Sequence, residues 1–80
     1  MKEFIATFHT HLSALMTSRA LTELGLQARM MPVPRKLSAS CGTCVRYLSE
    51  DAHLTAMDED VEAVYEKIGK EEYTLLMNAD

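Results

Sequence analysis

The sequence predicts an α+β domain of the ferredoxin-like class, a two-layer βαββαβ sandwich with two helices on one face of a four-stranded antiparallel sheet. The chain has 80 residues, of which 48% are hydrophobic, enough for one small core and so for a single domain, 1–80. Segments that alternate with the two-residue period of strands are interspersed with two segments of helical spacing. In a chain this short, the order β-α-β-β-α-β fits the split βαβ arrangement.

The chain begins with a predicted central strand and a helix. Residues 3–8 alternate and are apolar on both faces, which is typical of a strand in the middle of a sheet. A helix is predicted from about residue 11 to 24, because Thr10 is a suitable N-cap and Gly25 suits the positive φ that often follows a helix. The apolar stripe expected to face the core is Leu12, Leu15, Met16, Ala20 and Leu24.

Two further strands are predicted on either side of an unusual loop. Residues 28–33 form the first of them, and Pro32 places it at a sheet edge because proline cannot donate to a strand ladder. The loop covers about 34–43. Residues 44–49 alternate again and form the next strand.

The last third of the chain predicts a helix and a closing strand. Residues 50–57 are polar and irregular, and a second helix is expected over about 58–68, with the apolar stripe Val61, Val64, Tyr65 and Ile68. A final strand is predicted over 72–77, followed by a short tail.

The charge distribution argues against a nucleic acid partner. Residues 1–48 carry six basic and two acidic side chains, whereas residues 49–80 carry two basic and ten acidic ones, for a net charge of −4. A phosphate backbone requires a broad basic face, which this chain does not offer. No apolar run approaches the length of about 20 residues that spans a bilayer, and no signal peptide is visible, so we expect a soluble cytoplasmic protein.

Both cysteines lie in the sequence Cys41-Gly42-Thr43-Cys44, which covers the end of the predicted loop and the first residue of the next strand. In a reducing compartment a close pair of this kind is more often catalytic, redox-active or metal-binding than structural. Cys41 is the candidate nucleophile, since Arg35, Lys36 and nearby backbone amides supply the positive potential that favours a thiolate. Gly42 lets a bulky group approach the backbone. Cys44 is expected to be the less exposed thiol and could resolve an adduct formed on Cys41.

The run Pro32-Val33-Pro34-Arg35, then Leu37-Ser38 and Ser40-Cys41-Gly42, followed by a strand with Arg46, resembles the selenium/sulfur carrier-like family. The opening Phe4-Ile5-Ala6-Thr7-Phe8-His9 is also similar to the start of that family. The resemblance implies a carrier rather than an enzyme, in which Cys41 accepts sulfur or selenium as a persulfide-type adduct. It also implies a sulfur relay with donor and acceptor proteins such as TusA-like carriers or a cysteine desulfurase.

The residues expected to bind the anionic adduct or donor, through side chains and loop amides, are Arg35, Lys36, Ser38, Ser40 and Gly42. No cofactor is expected on this interpretation.

Three alternatives remain open. Zinc or iron could be bound by Cys41, Cys44, His9 and His11, because strands one and two would run parallel and end at the same edge of the sheet. Cys41 and Cys44 could instead form a thiol-disulfide redox pair, although that motif usually begins a helix. The domain could also be an interaction module that forms a homodimer through an exposed sheet face.

Overall fold

The computed structural model describes residues 1–79 and contains five strands and one α-helix in that range. The elements are β1 (Lys2–Phe8), α1 (His11–Glu23), β2 (Gln27–Pro32), β3 (Thr43–Ser49), a 3₁₀ turn (Leu54–Ala56), β4 (Val61–Gly69) and β5 (Glu72–Asn78). The strands form one sheet in the order β2-β3-β1-β4-β5, and every neighbouring pair is antiparallel. The prediction of a ferredoxin-like sandwich with four strands and two helices is therefore wrong.

The prediction and the structure differ at the predicted second helix, 58–68, because most of this segment belongs to the strand β4. A β-bulge explains why the spacing of the apolar residues in this segment predicted a helix. β4 places two residues, Val61 and Glu62, opposite Phe8 of β1, and Glu62 is the extra one. Because of this extra residue, Val61 and Val64 fall on the same face of the sheet although they are three positions apart, which is a helical spacing.

β1 lies in the centre of the sheet, as its sequence predicts, and β2 forms one edge, as Pro32 predicts. Phe4, Ala6 and Phe8 of β1 face the helix and belong to the main core cluster, and the rings of Phe4 and Tyr47 stack with their centroids 5.2 Å apart. The side chains of Ile5 and Thr7 are buried on the other face. β1 is thus covered on both sides, which accounts for its continuous run of apolar residues.

The helix has the predicted ends but packs through a different face. Its bounds match the expected range of about 11–24, and Thr10 caps it by accepting a hydrogen bond from the Ser13 amide at 3.1 Å. Gly25 has the expected positive φ, 87°. The predicted apolar stripe is wrong, however. Leu12, Met16 and Leu24 are 65%, 50% and 56% exposed, and the buried residues are Ser13, Ala14, Thr17 and Leu21.

Polar bonds to one aspartate explain this helix orientation. The Ser13 hydroxyl donates to an Asp58 carboxylate oxygen at 2.8 Å, and the Asp58 amide donates to the Thr17 hydroxyl at 2.9 Å. Both buried hydroxyls are therefore satisfied, and their small side chains let the helix approach the sheet closely. Asp58, expected in the first turn of a second helix, instead anchors α1 to the segment before β4.

The last two strands form a hairpin with a two-residue turn, Lys70 and Glu71, between the paired residues Gly69 and Glu72. β5 matches the predicted final strand closely and is the second edge of the sheet. No helix within residues 1–79 is both long and apolar enough to span a membrane.

Candidate functional site

The candidate site lies at the rim of the sheet where several chain segments meet. β1 ends there at Phe8, α1 begins at His11, and β3 and β4 start at Thr43 and Val61. The 33–42 loop, which connects β2 to β3, reaches the same rim. β1 and β2 both run antiparallel to β3, so they are parallel to each other and end on the same side, as the sequence predicts. The topology thus gathers the loop and both histidines at one rim.

Cys41 lies in the last turn of the 33–42 loop and is only partly buried. Its side chain packs against the core cluster on the helix-covered side of the sheet. The Sγ atom donates a hydrogen bond to the carbonyl oxygen of Thr43 at 3.4 Å, a bond that only a protonated thiol can make. The Cys41 side chain is therefore turned toward the protein and is only partly exposed to solvent.

Cys44 lies on β3 and is fully buried. It pairs with Thr7 of β1 and Met31 of β2, so its side chain lies on the sheet face opposite the helix. Its Sγ atom lies 3.7 Å from the carbonyl oxygen of Pro32. Burial raises the pKa of the Cys44 thiol to about 11, with a smaller contribution from the charge of Cys41. The expectation that Cys41 is the more exposed thiol is confirmed.

The structure does not arrange the two cysteines as a redox motif of the Cys-x-x-Cys type. Such motifs begin a helix, whereas Cys44 lies within a strand. The two sulfur atoms are directed at different carbonyl groups, and both cysteines are free thiols. A disulfide would require Cys44 to leave its buried position, because the Cβ–S vectors of a disulfide must point toward each other.

A carboxylate from β4 binds the residue directly before Cys41. The Ser40 amide donates to Oε1 of Glu62 at 2.8 Å, and the Ser40 hydroxyl donates to Oε2 at 3.0 Å. His9 completes this group, with its Nδ1 3.3 Å from the Ser40 hydroxyl and 3.7 Å from Glu62 Oε2. The three residues belong to three different segments, and together they tie the end of the loop to the sheet.

The four residues proposed as metal ligands have separate partners. The ring of His11 lies 3.5 Å from the Thr43 hydroxyl, whereas His9 contacts Ser40 and Glu62. Within the described range, 1–79, no three His, Cys, Asp or Glu side chains are grouped in a way that could hold a metal ion. The structure therefore brings both histidines to the rim but does not assemble them with Cys41 and Cys44.

The predicted anion-binding residues are divided along the loop. Arg35, Lys36 and Ser38 are exposed, and Lys36 lines a shallow groove beside the β4–β5 hairpin together with Leu37, Tyr65 and Glu72. Ser40, by contrast, already binds the carboxylate of Glu62. Gly42 has a φ of 73°, and a Cβ atom there would meet only open space, so the backbone conformation is what favours glycine.

Glu62 is the residue of this site that the sequence did not indicate. Its assignment to a helix placed it on a solvated surface, away from the loop. The available signal was an acidic residue between Val61 and Ala63, two residues that are both buried in the structure. Regular strand alternation gives the same pattern, so it does not by itself indicate the bulge or the contact with Ser40.

A model of the family described as "Putative Se/S carrier protein-like" matches residues 3–73 of the chain. The chain is also 38% identical over 45 residues to the uncharacterized protein YtiA of Escherichia coli (strain K12). That alignment covers 56% of this chain and 53% of the relative, so the chain spans about half the length of the curated relative that it matches. No solved structure matches the chain significantly.

Proposed function

We propose that this chain carries a sulfur or selenium atom on Cys41. The chain belongs to the family described as "Putative Se/S carrier protein-like". The family membership confirms the resemblance that the loop sequence indicates. The observation that supports Cys41 as the residue to which the sulfur or selenium atom is attached is the difference in burial between the two cysteines. Cys41 is partly exposed on a loop at the rim of the sheet, whereas Cys44 is completely buried within a strand.

The proposed loading step is a transfer of sulfane sulfur between two thiols. The Cys41 thiolate attacks the outer sulfur of a donor persulfide, R–S–SH. A bond forms between Sγ of Cys41 and that sulfur, while the S–S bond of the donor breaks and its electron pair leaves with the donor thiolate, R–S⁻. No external oxidant or reductant is needed. Before the attack, the Cys41 thiol loses its proton to solvent, and its hydrogen bond to the Thr43 carbonyl is lost in the same step.

Delivery repeats the same chemistry with an acceptor thiolate, which attacks the outer sulfur and releases Cys41 as a thiolate. In this proposal the protein is a relay partner and not an enzyme in its own right. Donors and acceptors of the kind that the resemblance implies, TusA-like carriers or a cysteine desulfurase, would supply and remove the sulfur. Selenium, which forms analogous Se–S bonds, fits the same site.

The proposal assigns both transfer steps to Cys41 alone. A resolving role for Cys44 would require a thiolate that reaches the adduct, but Cys44 is fully buried and its pKa is raised to about 11. At neutral pH such a thiol is almost entirely protonated. Its side chain serves to fill the sheet face opposite the helix.

The exposed basic side chains Arg35 and Lys36 are proposed to attract an anionic donor. Their contribution is expected to be modest, since charges exposed to solvent are strongly screened. Ser38 is exposed on the same loop and can donate a hydrogen bond to the donor. Ser40 takes part only after its bonds to Glu62 are broken.

The test is a loading and release experiment with purified protein and glutathione persulfide, followed by intact-mass spectrometry. The wild-type chain is expected to gain one sulfur atom, which is then removed by an excess of reduced glutathione. Cys41→Ser should gain none, and Cys44→Ala should behave as wild type. Arg35→Ala should slow loading by the anionic donor more than it slows alkylation by neutral iodoacetamide. Loading of Cys41→Ser to the wild-type level would refute the proposal.

A further inference from the structure

The contacts around Ser40 show that the turn carrying Cys41 is held from outside the loop. Within the turn itself, the Gly42 amide donates to the Ala39 carbonyl at 3.4 Å, a long hydrogen bond. The bonds from Ser40 to Glu62 are shorter, at 2.8 and 3.0 Å, and both end on a carboxylate. Hydrogen bonds to a charged acceptor are about twice as strong as neutral ones. The carboxylate therefore restrains this turn together with the backbone hydrogen bond from the Val33 amide to the Gly42 carbonyl at 3.2 Å.

The β-bulge of β4 supplies a second, independent observation. Glu62 is the extra residue of that bulge, so it has no directly opposed partner on β1. Bulges redirect a side chain that regular alternation would place elsewhere, and they occur often beside functional sites. Here the redirected side chain is mostly buried, with 16% of its surface exposed, and it reaches both hydrogen-bond donors of Ser40. The β-bulge thus directs the Glu62 side chain toward Ser40, where it makes its two hydrogen bonds.

We propose that Glu62 is a positioning residue that holds the Cys41 turn in a closed conformation, with the thiol turned against the core. This inference rests on the proposed function, because it concerns the same thiol. Ser40 and Cys41 are adjacent in sequence, so fixing both donors of Ser40 restricts the backbone from which the Cys41 side chain extends. A donor or acceptor that engages Cys41 must first release Ser40 from the carboxylate.

The closed conformation predicts that removal of the carboxylate makes Cys41 more reactive. If alkylation requires the turn to open, its rate follows the population of the open state. We expect Glu62→Ala to raise the rate of Cys41 alkylation by iodoacetamide about tenfold, the effect of losing hydrogen bonds to a charged group. Glu62→Gln keeps an oxygen that can accept from the Ser40 amide, so a smaller increase is expected.

Cys44 is an internal control in the same molecule. Glu62→Ala could also accelerate labelling by destabilising the whole fold, but global unfolding exposes both thiols. If the contact between Glu62 and Ser40 holds the turn closed, Glu62→Ala should speed the labelling of Cys41 and leave the protection of Cys44 unchanged. Glu66→Ala, on the same strand four residues further, is the matched control and should leave both rates unchanged.

Ser40→Ala supplies a second variant in case Glu62→Ala does not fold. This variant loses the hydrogen bond from the Ser40 hydroxyl to Glu62 and keeps the one from the residue 40 amide. It should therefore accelerate Cys41 labelling less than Glu62→Ala does. The double variant should label no faster than Glu62→Ala, since the two residues act through one contact.

Unchanged Cys41 labelling in Glu62→Ala and Ser40→Ala, or parallel acceleration of Cys41 and Cys44, would overturn the inference. Alkylation needs no sulfur donor, so a chain that fails to load sulfur while Glu62→Ala labels faster would refute only the proposed function.

Discussion

Cys41 and Cys44 are three residues apart, yet the structure gives them opposite environments. Cys41 lies in the last turn of an irregular loop, packs against the helix-covered side of the sheet and is partly exposed. Cys44 is the second residue of β3, faces the opposite side and is completely buried. A strand fixes the side on which each residue lies, and neighbouring strands then exclude solvent from it. The solvent exposure of each thiol is thus set by the boundary between loop and strand, which falls between the two cysteines.

The same contrast appears in what holds each thiol in place. The Cys41 turn is restrained by a few polar contacts at the rim, among them those of Ser40 with Glu62 and the bond from the Val33 amide to the Gly42 carbonyl. Cys44 is held by paired strands on both sides, with Thr7 and Met31 as its direct neighbours. Local opening near Cys41 breaks few contacts, whereas exposure of Cys44 requires separation of the sheet. Local opening can therefore expose the first thiol to reagents while the second remains part of the core.

The largest expected effect of this contrast is on alkylation rates. At pH 8 only about one Cys44 thiol in a thousand is ionised, because its pKa is about 11. Burial also keeps reagents away. Iodoacetamide should therefore modify Cys41 at least about a hundredfold faster than Cys44 in the native protein. Time-resolved peptide mass spectrometry gives both rates in one sample. Comparable rates would show that the two environments do not differ in solution.

A smaller effect is expected on the pH dependence of folding stability. The folded-state pKa of Cys44 is raised from 9.0 to about 11, so the folded protein retains this proton longer than the unfolded chain does. The resulting stability is present below pH 9 and is lost as the pH rises toward 11. Relative to Cys44→Ala, the wild type should lose about 2 kcal/mol of unfolding free energy over this range.

Urea unfolding of both proteins at several pH values measures this difference. The comparison with Cys44→Ala also removes the contribution of Tyr47, whose pKa is raised by burial and by Asp51 and which is present in both proteins. A constant difference in unfolding free energy between pH 8 and 11 would mean that Cys44 is not desolvated as the structure indicates.

The sequence predicted most of the architecture of the first half of the chain. Residues with a strong local signal were assigned correctly, including Thr10 at the helix start, Gly25 after its end and Pro32 at the sheet edge. The position of Cys41 near the histidines also followed from the sequence, because parallel strands end on the same side of a sheet. These features depend on short-range chemistry or on simple topology, which a single sequence displays directly.

The second half failed for a physical reason that a single sequence does not reveal. The bulge at Glu62 shifts the alternation of β4 by one residue, so Val61 and Val64 reach the core with helical spacing. The predicted buried face of α1 was wrong because this face, too, depends on a contact distant in sequence. Its orientation depends on two hydrogen bonds with Asp58, which is more than 40 positions away in sequence: the Ser13 hydroxyl donates to its carboxylate, and the Thr17 hydroxyl accepts from its amide. Glu62 was missed because its contact with Ser40 exists only once β4 is a strand.

The most direct measurement is to locate the sulfur atom that the wild-type chain gains from glutathione persulfide. Trypsin cleaves after Lys36 and Arg46, so a single peptide, residues 37–46, contains both cysteines. After alkylation, fragment ions that break the chain between Cys41 and Cys44 distinguish the two positions. The structure predicts that the added sulfur lies on Cys41 and that Cys44 is unmodified before denaturation. Sulfur on Cys44, or no sulfur on either thiol, would contradict the assignment of Cys41 as the carrier.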